Sequence, residues 1–223
     1  MAPRLILFDF DGTLADSFAW FLRAYDEVAD ALGLRHIVPE EVPALRHLPP
    51  RDLMRHFGVP AWRVPQVALR LRALQARDVA TIRLFPGIAE TLAALSARGI
   101  TLAIVTSNDA RNVRAILGPD LAALIAHYAC GAPVLGKGPR LRKVLRLARM
   151  APTEAIAIGD ELRDLDAARE QGIPFGAVTW GYADPDALRG ADPAFIFATP
   201  HDIVDTLFDG VPLTNKKSGP AGG

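Results

Sequence analysis

Leu5-Ile6-Leu7-Phe8-Asp9-Phe10-Asp11-Gly12-Thr13-Leu14 decides the reading of this 223-residue chain. It begins as a continuous apolar run, the composition of a strand buried on both faces of a parallel sheet. The run then meets two acids, a glycine and a threonine. Carboxylates at the end of a buried strand are costly unless a cation, hydrogen bonds or water attend them. A strand end facing a crevice offers all three. Gly12 lets the backbone turn sharply or approach a ligand closely.

Downstream, Asp16 or Ser17 is placed to cap a helix. Phe18, Phe21, Leu22, Tyr25, Val28, Ala29 and Leu32 follow at helical spacing, and Gly33 stands where a C-cap glycine belongs. Pro39, Pro43, Pro49, Pro50, Pro60 and Pro65 break the next stretch. Short helical patterns lie between them at 52–57 and 66–79. No strand signal appears from Asp16 to Ile82, so this block is predicted to be a small all-helical insertion.

Leu84-Phe85-Pro86-Gly87 marks the return. A helix is predicted over Ile88–Ala97, stopped by Gly99, and a strand over Leu102-Ala103-Ile104-Val105, ending in Thr106-Ser107-Asn108. Residues 127–130 are a weak strand and 141–149 a basic amphipathic helix. Ala155-Ile156-Ala157-Ile158 is a strong strand ending at Gly159-Asp160. A helix over 162–171, strands over 175–180 and 194–197, and a helix over 203–208 complete the pattern. Such alternation implies βαβ units and a parallel, three-layered sheet. Ligands in such sheets bind outside the carboxyl ends of the strands. Polar residues end three of the strongest strands here: Asp9 with Asp11, Thr106, and Asp160.

The first run resembles the opening motif of the haloacid dehalogenase superfamily, Asp-x-Asp-Gly-Thr/Val-Leu after a hydrophobic strand. The resemblance spans nearly the whole chain, from Leu5 to about residue 208. It implies a Rossmann-like core with the first strand between those carrying the second and fourth motifs. It also implies that Asp9 attacks phosphorus and Asp11 is the general acid/base. Thr106, with Ser107 and Asn108, matches the second motif and is implied to bind phosphoryl oxygens, as is Thr13. Lys137, ahead of a helix that Pro139 would start, matches the third. It is implied to hold both the nucleophile and the phosphoryl group. Gly159-Asp160-Glu161-Leu162-Arg163-Asp164 matches the fourth. There Asp160 is implied as a metal ligand and Asp164 as a second ligand or an orienting carboxylate, with Asp9 and Asp11 completing the set.

Four acids sharing one site with an anionic phosphate need a counter-ion. Two like charges ~4 Å apart repel by about 4 kcal/mol at an effective dielectric near 20. Lys137 offsets one charge and a divalent cation offsets more. The implied ligands are all oxygen, which favours Mg²⁺ over Zn²⁺. Asp11 favours phosphate-ester chemistry, because dehalogenases of the family usually lack an acid there. A mutase retains it and remains the alternative, as does, from another class, a catalytically silent regulatory protein. Gly131-Ala132-Pro133-Val134-Leu135-Gly136-Lys137-Gly138 nearly fits a nucleotide-binding P-loop. However, Gly138 replaces the required Ser/Thr, Pro133 interrupts the loop and the preceding strand is weak, so that reading is rejected.

The insertion resembles a helical cap between motifs one and two. The domains expected are therefore a core at 1–15 and 84–212, a cap at 16–83, and a disordered, glycine-rich tail at 213–223. Arg46, His47 and Arg51 are candidate substrate contacts in the cap. The phosphoglycolate phosphatase-like branch often carries Gly where His47 stands, although Val178-Thr179-Trp180-Gly181-Tyr182 looks like that branch.

Composition sets the remaining expectations. Lys+Arg and Asp+Glu each number 25, giving zero formal net charge, which argues against a nucleic-acid partner. The single cysteine, Cys130, rules out an internal disulfide and fits a reducing compartment. Its apolar surroundings suggest a buried, inert thiol. No apolar run has transmembrane length and no signal peptide precedes Leu5. A cytoplasmic monomer or homodimer acting on a small phosphorylated metabolite is the resulting expectation.

Overall fold

The computed structural model describes residues 2–48, 50–131 and 136–208, the side chains of residues 50 and 51 apart. The predicted tail, 213–223, lies outside them.

β1 (Leu5–Phe8) is buried throughout. β2 (Ala15–Asp16) leads into α1 (Phe18–Leu32), which ends at Gly33 in the left-handed region (φ 60°). Only glycine occupies that region without a steric penalty. α2 (Val42–Leu45), α3 (Pro50–His56) and α4 (Val64–Asp78) follow. β3 (Arg83–Leu84) pairs antiparallel with β2, Ala15 opposite Leu84. α5 (Ile88–Ala97), β4 (Thr101–Val105), α6 (Ala110–Leu124) and β5 (Ile125–Ala129) come next. Then α7 (Gly138–Ala148), β6 (Ala155–Gly159), α8 (Leu162–Glu170) and β7 (Phe175–Val178) lead to α9 (Pro185–Gly190), β8 (Phe195–Phe197) and α10 (Pro200–Phe208).

The main sheet has six strands in the order β5-β4-β1-β6-β7-β8. Its pairings are all parallel. β1 lies between β4 and β6, with Phe8 opposite Ile104 on one side and Ile158 on the other. The chain winds outward from β1 to β4 and β5, then crosses back to β6. The strand order therefore reverses beside β1, where such sheets open a crevice.

Strand alternation splits the core into two layers. Ile6 and Phe8 pack with Leu92, Val113 and Ile203 from α5, α6 and α10. Leu5 and Leu7 pack with Leu141, Val144 and Leu165 from α7 and α8. A third cluster lies within the insertion, around Tyr25, Val28, Leu45 and Phe57.

Several elements of the fold carry no clear signal in the sequence. The β2–β3 ribbon is two residues per strand, too short to show an alternation. α6 carries a kink at Gly118 (φ 73°, ψ 167°) ahead of Pro119, which broke its periodicity. α2 and α9 are also short. Ser17 does occupy the N-cap position of α1, but its hydroxyl makes no cap bond; it is spent elsewhere. None of the described helices is long and apolar enough to cross a membrane.

Candidate active site

The carboxyl ends of β1 and β6 bring Asp9 and Asp160 together, and the first turn of α8 adds Asp164. Carboxylate oxygens of these three buried acids lie within 4.8 Å of one another. Parallel pairing in register forces this, because Phe8 and Ile158 are opposite one another and the acids follow them by one and two residues. The Asp9 N–H donates to the Ile158 carbonyl at 2.8 Å, extending the ladder to the acid itself.

Lys137, immediately before α7, reaches into this cluster. Its Nζ lies 2.6 Å from Asp9 Oδ2 and 2.7 Å from Asp164 Oδ1. Lys137 is 4% exposed, Asp9 6% and Asp160 0%, so these charges interact with little solvent screening. Burial pushes the Asp9 carboxyl up to about 7, against the opposing pull of Lys137 and with further help from Asp164. Burial also raises Asp160 well above the carboxylate range, reinforced by Glu161, Asp9 and Asp164. Burial disfavours the charged forms of Asp164 and Lys137 too, but their mutual attraction prevails: Asp164 is lowered and Lys137 raised. The site thus holds more negative charge than its cations balance. Asp164 Oδ2 is buried, and among the described residues no donor serves it. A dry, all-oxygen, charge-deficient donor set with an orphaned oxygen fits a hard divalent cation such as Mg²⁺.

Asp160 is held from two sides. Thr13 Oγ1 donates to its Oδ1 and the Tyr182 N–H to its Oδ2, each at 2.7 Å. Backbone packs tightly here: a Cβ on Gly12 would fall 2.2 Å from Asp160 Oδ2, and one on Gly181 2.5 Å from the Gly12 carbonyl. Only hydrogen fits at either position. Thr13, expected to bind substrate, is therefore committed to Asp160 instead.

Asp11 stands apart from the acidic cluster. Its Oδ1 accepts from Ser17 Oγ (2.9 Å) and Gln75 Nε2 (2.7 Å), and its Oδ2 from Asn108 Nδ2 (2.9 Å). The structure does not bring its side chain into the metal set expected of it, because three donors turn it toward α1, α4 and the β4 loop. Burial raises its pKa, with Gln75, Ser17 and Asn108 opposing. Ser17 Oγ also lies 2.9 Å from the Tyr182 hydroxyl. Ser17 has one proton and gives it to Asp11, so Tyr182 is the donor in that contact.

Thr106 is 1% exposed, at the end of β4. Its Oγ1 accepts from the Asn108 N–H at 3.1 Å, which leaves its own O–H for an outside acceptor. That bond takes the Asn108 amide, and the Asn108 side chain is taken by Asp11. Asn108, expected as a phosphoryl ligand, thus also braces Asp11 and Thr106. The Ser107 carbonyl accepts from Arg72 Nε of α4 at 2.6 Å.

The cap candidates are also redirected. Arg46 donates to the carbonyls of Tyr182 (2.8 Å) and Gly181 (2.9 Å). Its own carbonyl accepts from the Asp184 N–H at 3.0 Å. His47 Nδ1 lies 3.5 Å from Asp184 Oδ1. These residues tie the insertion to the loop after β7. The Arg51 side chain and residues 132–135 of the rejected P-loop lie outside the described residues. Cys130 is half-buried rather than enclosed.

Gln75, Ser17 and Tyr182 were missed. A lone glutamine on an amphipathic helix carries no signal in sequence, and Ser17 was legible only as a cap.

The profile of the haloacid dehalogenase-like hydrolases matches residues 6–178. A phosphoglycolate phosphatase of Synechococcus elongatus is 32% identical, over 92% of this chain and 97% of its own. A haloacid dehalogenase-like hydrolase of Streptococcus pneumoniae superposes with a TM-score of 0.76 at 25% identity, covering 92% of this chain and 98% of its own. CbbY of Rhodobacter sphaeroides, solved with phosphate, superposes at 0.67 with 27% identity, covering 91% and 96%. With the Asp-x-Asp strand end, the buried lysine and the Gly-Asp-x-x-x-Asp turn in one crevice, this chain belongs to the haloacid dehalogenase-like hydrolase family.

Proposed function

We propose that the chain is a Mg²⁺-dependent phosphomonoesterase acting on a small phosphorylated metabolite in the cytoplasm. One observation carries this reading: Asp9, Asp160 and Asp164 converge, with Lys137 paired to Asp9 and Asp164, while three donors hold the separate Asp11 carboxylate. The phosphoglycolate phosphatase relative supports the reaction class.

Asp9 is the nucleophile. Lys137 holds its Oδ2, and the Phe10 N–H donates to its Oδ1 at 2.7 Å, which fixes the carboxylate's orientation. One Asp9 oxygen bonds to phosphorus as the bond from phosphorus to the leaving oxygen breaks. Asp11 gives its proton to that oxygen. Asp11 then takes a proton from water as the water oxygen attacks phosphorus and the bond to Asp9 breaks. Its raised pKa suits a group that must carry a proton in one step and accept one in the next. The Thr106 hydroxyl donates to a phosphoryl oxygen, and Lys137 offsets charge on the transferring group. Asp9, Asp160 and Asp164 would hold Mg²⁺, which when bound supplies positive charge to this carboxylate-rich site.

Residues 16–83 are proposed as a cap over a core made of 1–15 and 84–212. The β2–β3 ribbon joins the two where the chain leaves and returns, and Gln75 and Arg72 reach from the cap to the catalytic loops. A phosphate-release screen over a broad panel of phosphate esters, with Mg²⁺ and with EDTA, tests the reading. Release in Mg²⁺ that EDTA abolishes is expected. No release from any ester would overturn it.

A further inference from the structure

The cap does not fill its own interior. A chamber of about 250 Å³ lies among α1, α2, α3 and α4 and the loops after β6 and β7. Its cap walls are aliphatic and aromatic, among them Phe21, Leu53, Phe57, Val67 and Leu71. Protein interiors leave few voids larger than a water molecule, and an apolar void offers water no partners. The chamber also explains a burial pattern. Val64, Val67 and Leu71 of α4 are only partly covered, although they face the cap interior and pack against its core.

The chamber is lined not by the catalytic groups themselves but by residues next to them. Its floor is Glu161, Leu162 and Arg163, directly after Asp160, with Tyr182, whose N–H holds Asp160. Phe18, in the wall, follows Ser17, which donates to Asp11. Tyr182, a lining residue, thus stands between the chamber and both Asp160 and Ser17, the donor to Asp11. The two cations among its described lining residues are engaged by the protein. Arg46 donates to the Gly181 and Tyr182 carbonyls, and Arg163 is ion-paired with Glu161.

We propose that this chamber receives the leaving group of the substrate, and that the substrate class is phosphate monoesters of apolar aliphatic or aromatic alcohols. This rests on the phosphomonoesterase reading. A second anionic group, such as a carboxylate, finds no uncommitted cation among the described residues lining the chamber. An apolar chain gains from leaving water, by about fourfold in affinity for each methylene buried.

The test is a series of n-alkyl phosphates from ethyl to hexyl, with phosphoglycolate for comparison, assayed for phosphate release. Binding of hexan-1-ol and 2-naphthol is measured by calorimetry in parallel. The proposal expects kcat/KM to rise severalfold per methylene up to the chamber's capacity, with phosphoglycolate among the poorer substrates. The alcohols should bind the wild type, and Ala68→Phe, which fills the chamber from α4, should weaken them at least tenfold and flatten the alkyl series. Hydrolysis that ignores chain length, or alcohols that bind Ala68→Phe as they bind the wild type, would overturn it. Absence of release from every ester, with alcohols bound, would instead overturn the phosphomonoesterase reading and the substrate assignment, leaving the chamber as a ligand site.

Discussion

Gln75 Nε2 donates to Asp11 Oδ1 at 2.7 Å, joining the proposed cap to the proposed general acid/base across 64 residues of chain. Gln75 is the one buried side chain of α4. A helix that fully buries only a polar residue places it for its hydrogen bond rather than for packing. Hydrogen bonds to charged groups contribute about 1.5–3 kcal/mol. Gln75→Leu should therefore lower kcat by about ten- to a hundredfold with little change in KM. The lost donor favoured the ionised carboxylate, so the pKa of Asp11 should rise and the alkaline limb of the rate profile move to higher pH. An unchanged kcat and profile would remove Gln75 from the mechanism.

Thr13 was expected to touch substrate, yet its hydroxyl holds Asp160. Thr13→Val keeps the shape and removes the donor. Ligand-orienting partners of this kind cost about 10–100-fold in metal affinity when lost. The Mg²⁺ concentration for half-maximal activity should rise by that factor, with KM for the ester nearly constant. The reverse pattern, KM raised and Mg²⁺ dependence unchanged, would restore Thr13 to the substrate.

Mg²⁺ should stabilise the fold, and more so at pH 8 than at pH 5. Burial raises Asp9 from an ordinary 3.8 to about 7. Between those values the folded protein holds a proton that the unfolded chain has released. The stability Asp9 contributes is thus greatest below the lower value and is lost as pH rises through about 7. Above it the bare carboxylate has most to gain from a cation. A ligand at 100 times its Kd adds about 2.7 kcal/mol, a shift of several degrees in melting temperature. Thermal unfolding with EDTA and with Mg²⁺ at both pH values measures it; an equal shift at each would contradict the charge balance described here.

Most of the core was legible because it rests on local pattern. Four apolar residues before Asp9 and four before Gly159 read as buried strands, and parallel register then requires their acids to meet. Asp160 and Asp164, one helical turn apart, followed from the same logic. The sequence could not show where donors go. Thr13, Asn108 and Arg46 are polar residues at strand ends and loops, equally suited to a ligand or to the protein. Only tertiary contact with Asp160, Asp11 and the Gly181–Tyr182 carbonyls separates the two. Phe18, Phe21 and Leu22 fit the helical stripe of α1 but line the chamber, because periodicity reports which way a face points and not what fills the space beyond it.

Cys130 gives an independent check on the sheet edge. Burial, with Asp109 nearby, pushes its thiol up to about 11. The thiolate is the nucleophile, so iodoacetamide should react at pH 8 at roughly one-hundredth the rate of an unperturbed thiol or less, rising tenfold per pH unit. Rapid alkylation at neutral pH would show that β5 is more open than described.

Covalent catalysis here requires Asp9 as the attacking group. Asp9→Asn keeps the size and the Phe10 N–H contact but removes the charge and most of the nucleophilicity. Phosphate release from the best ester found should fall by ~10⁴-fold or more, with the circular dichroism spectrum and cooperative thermal unfolding retained. Turnover within tenfold of the wild type in a folded Asp9→Asn protein would contradict covalent catalysis at this residue.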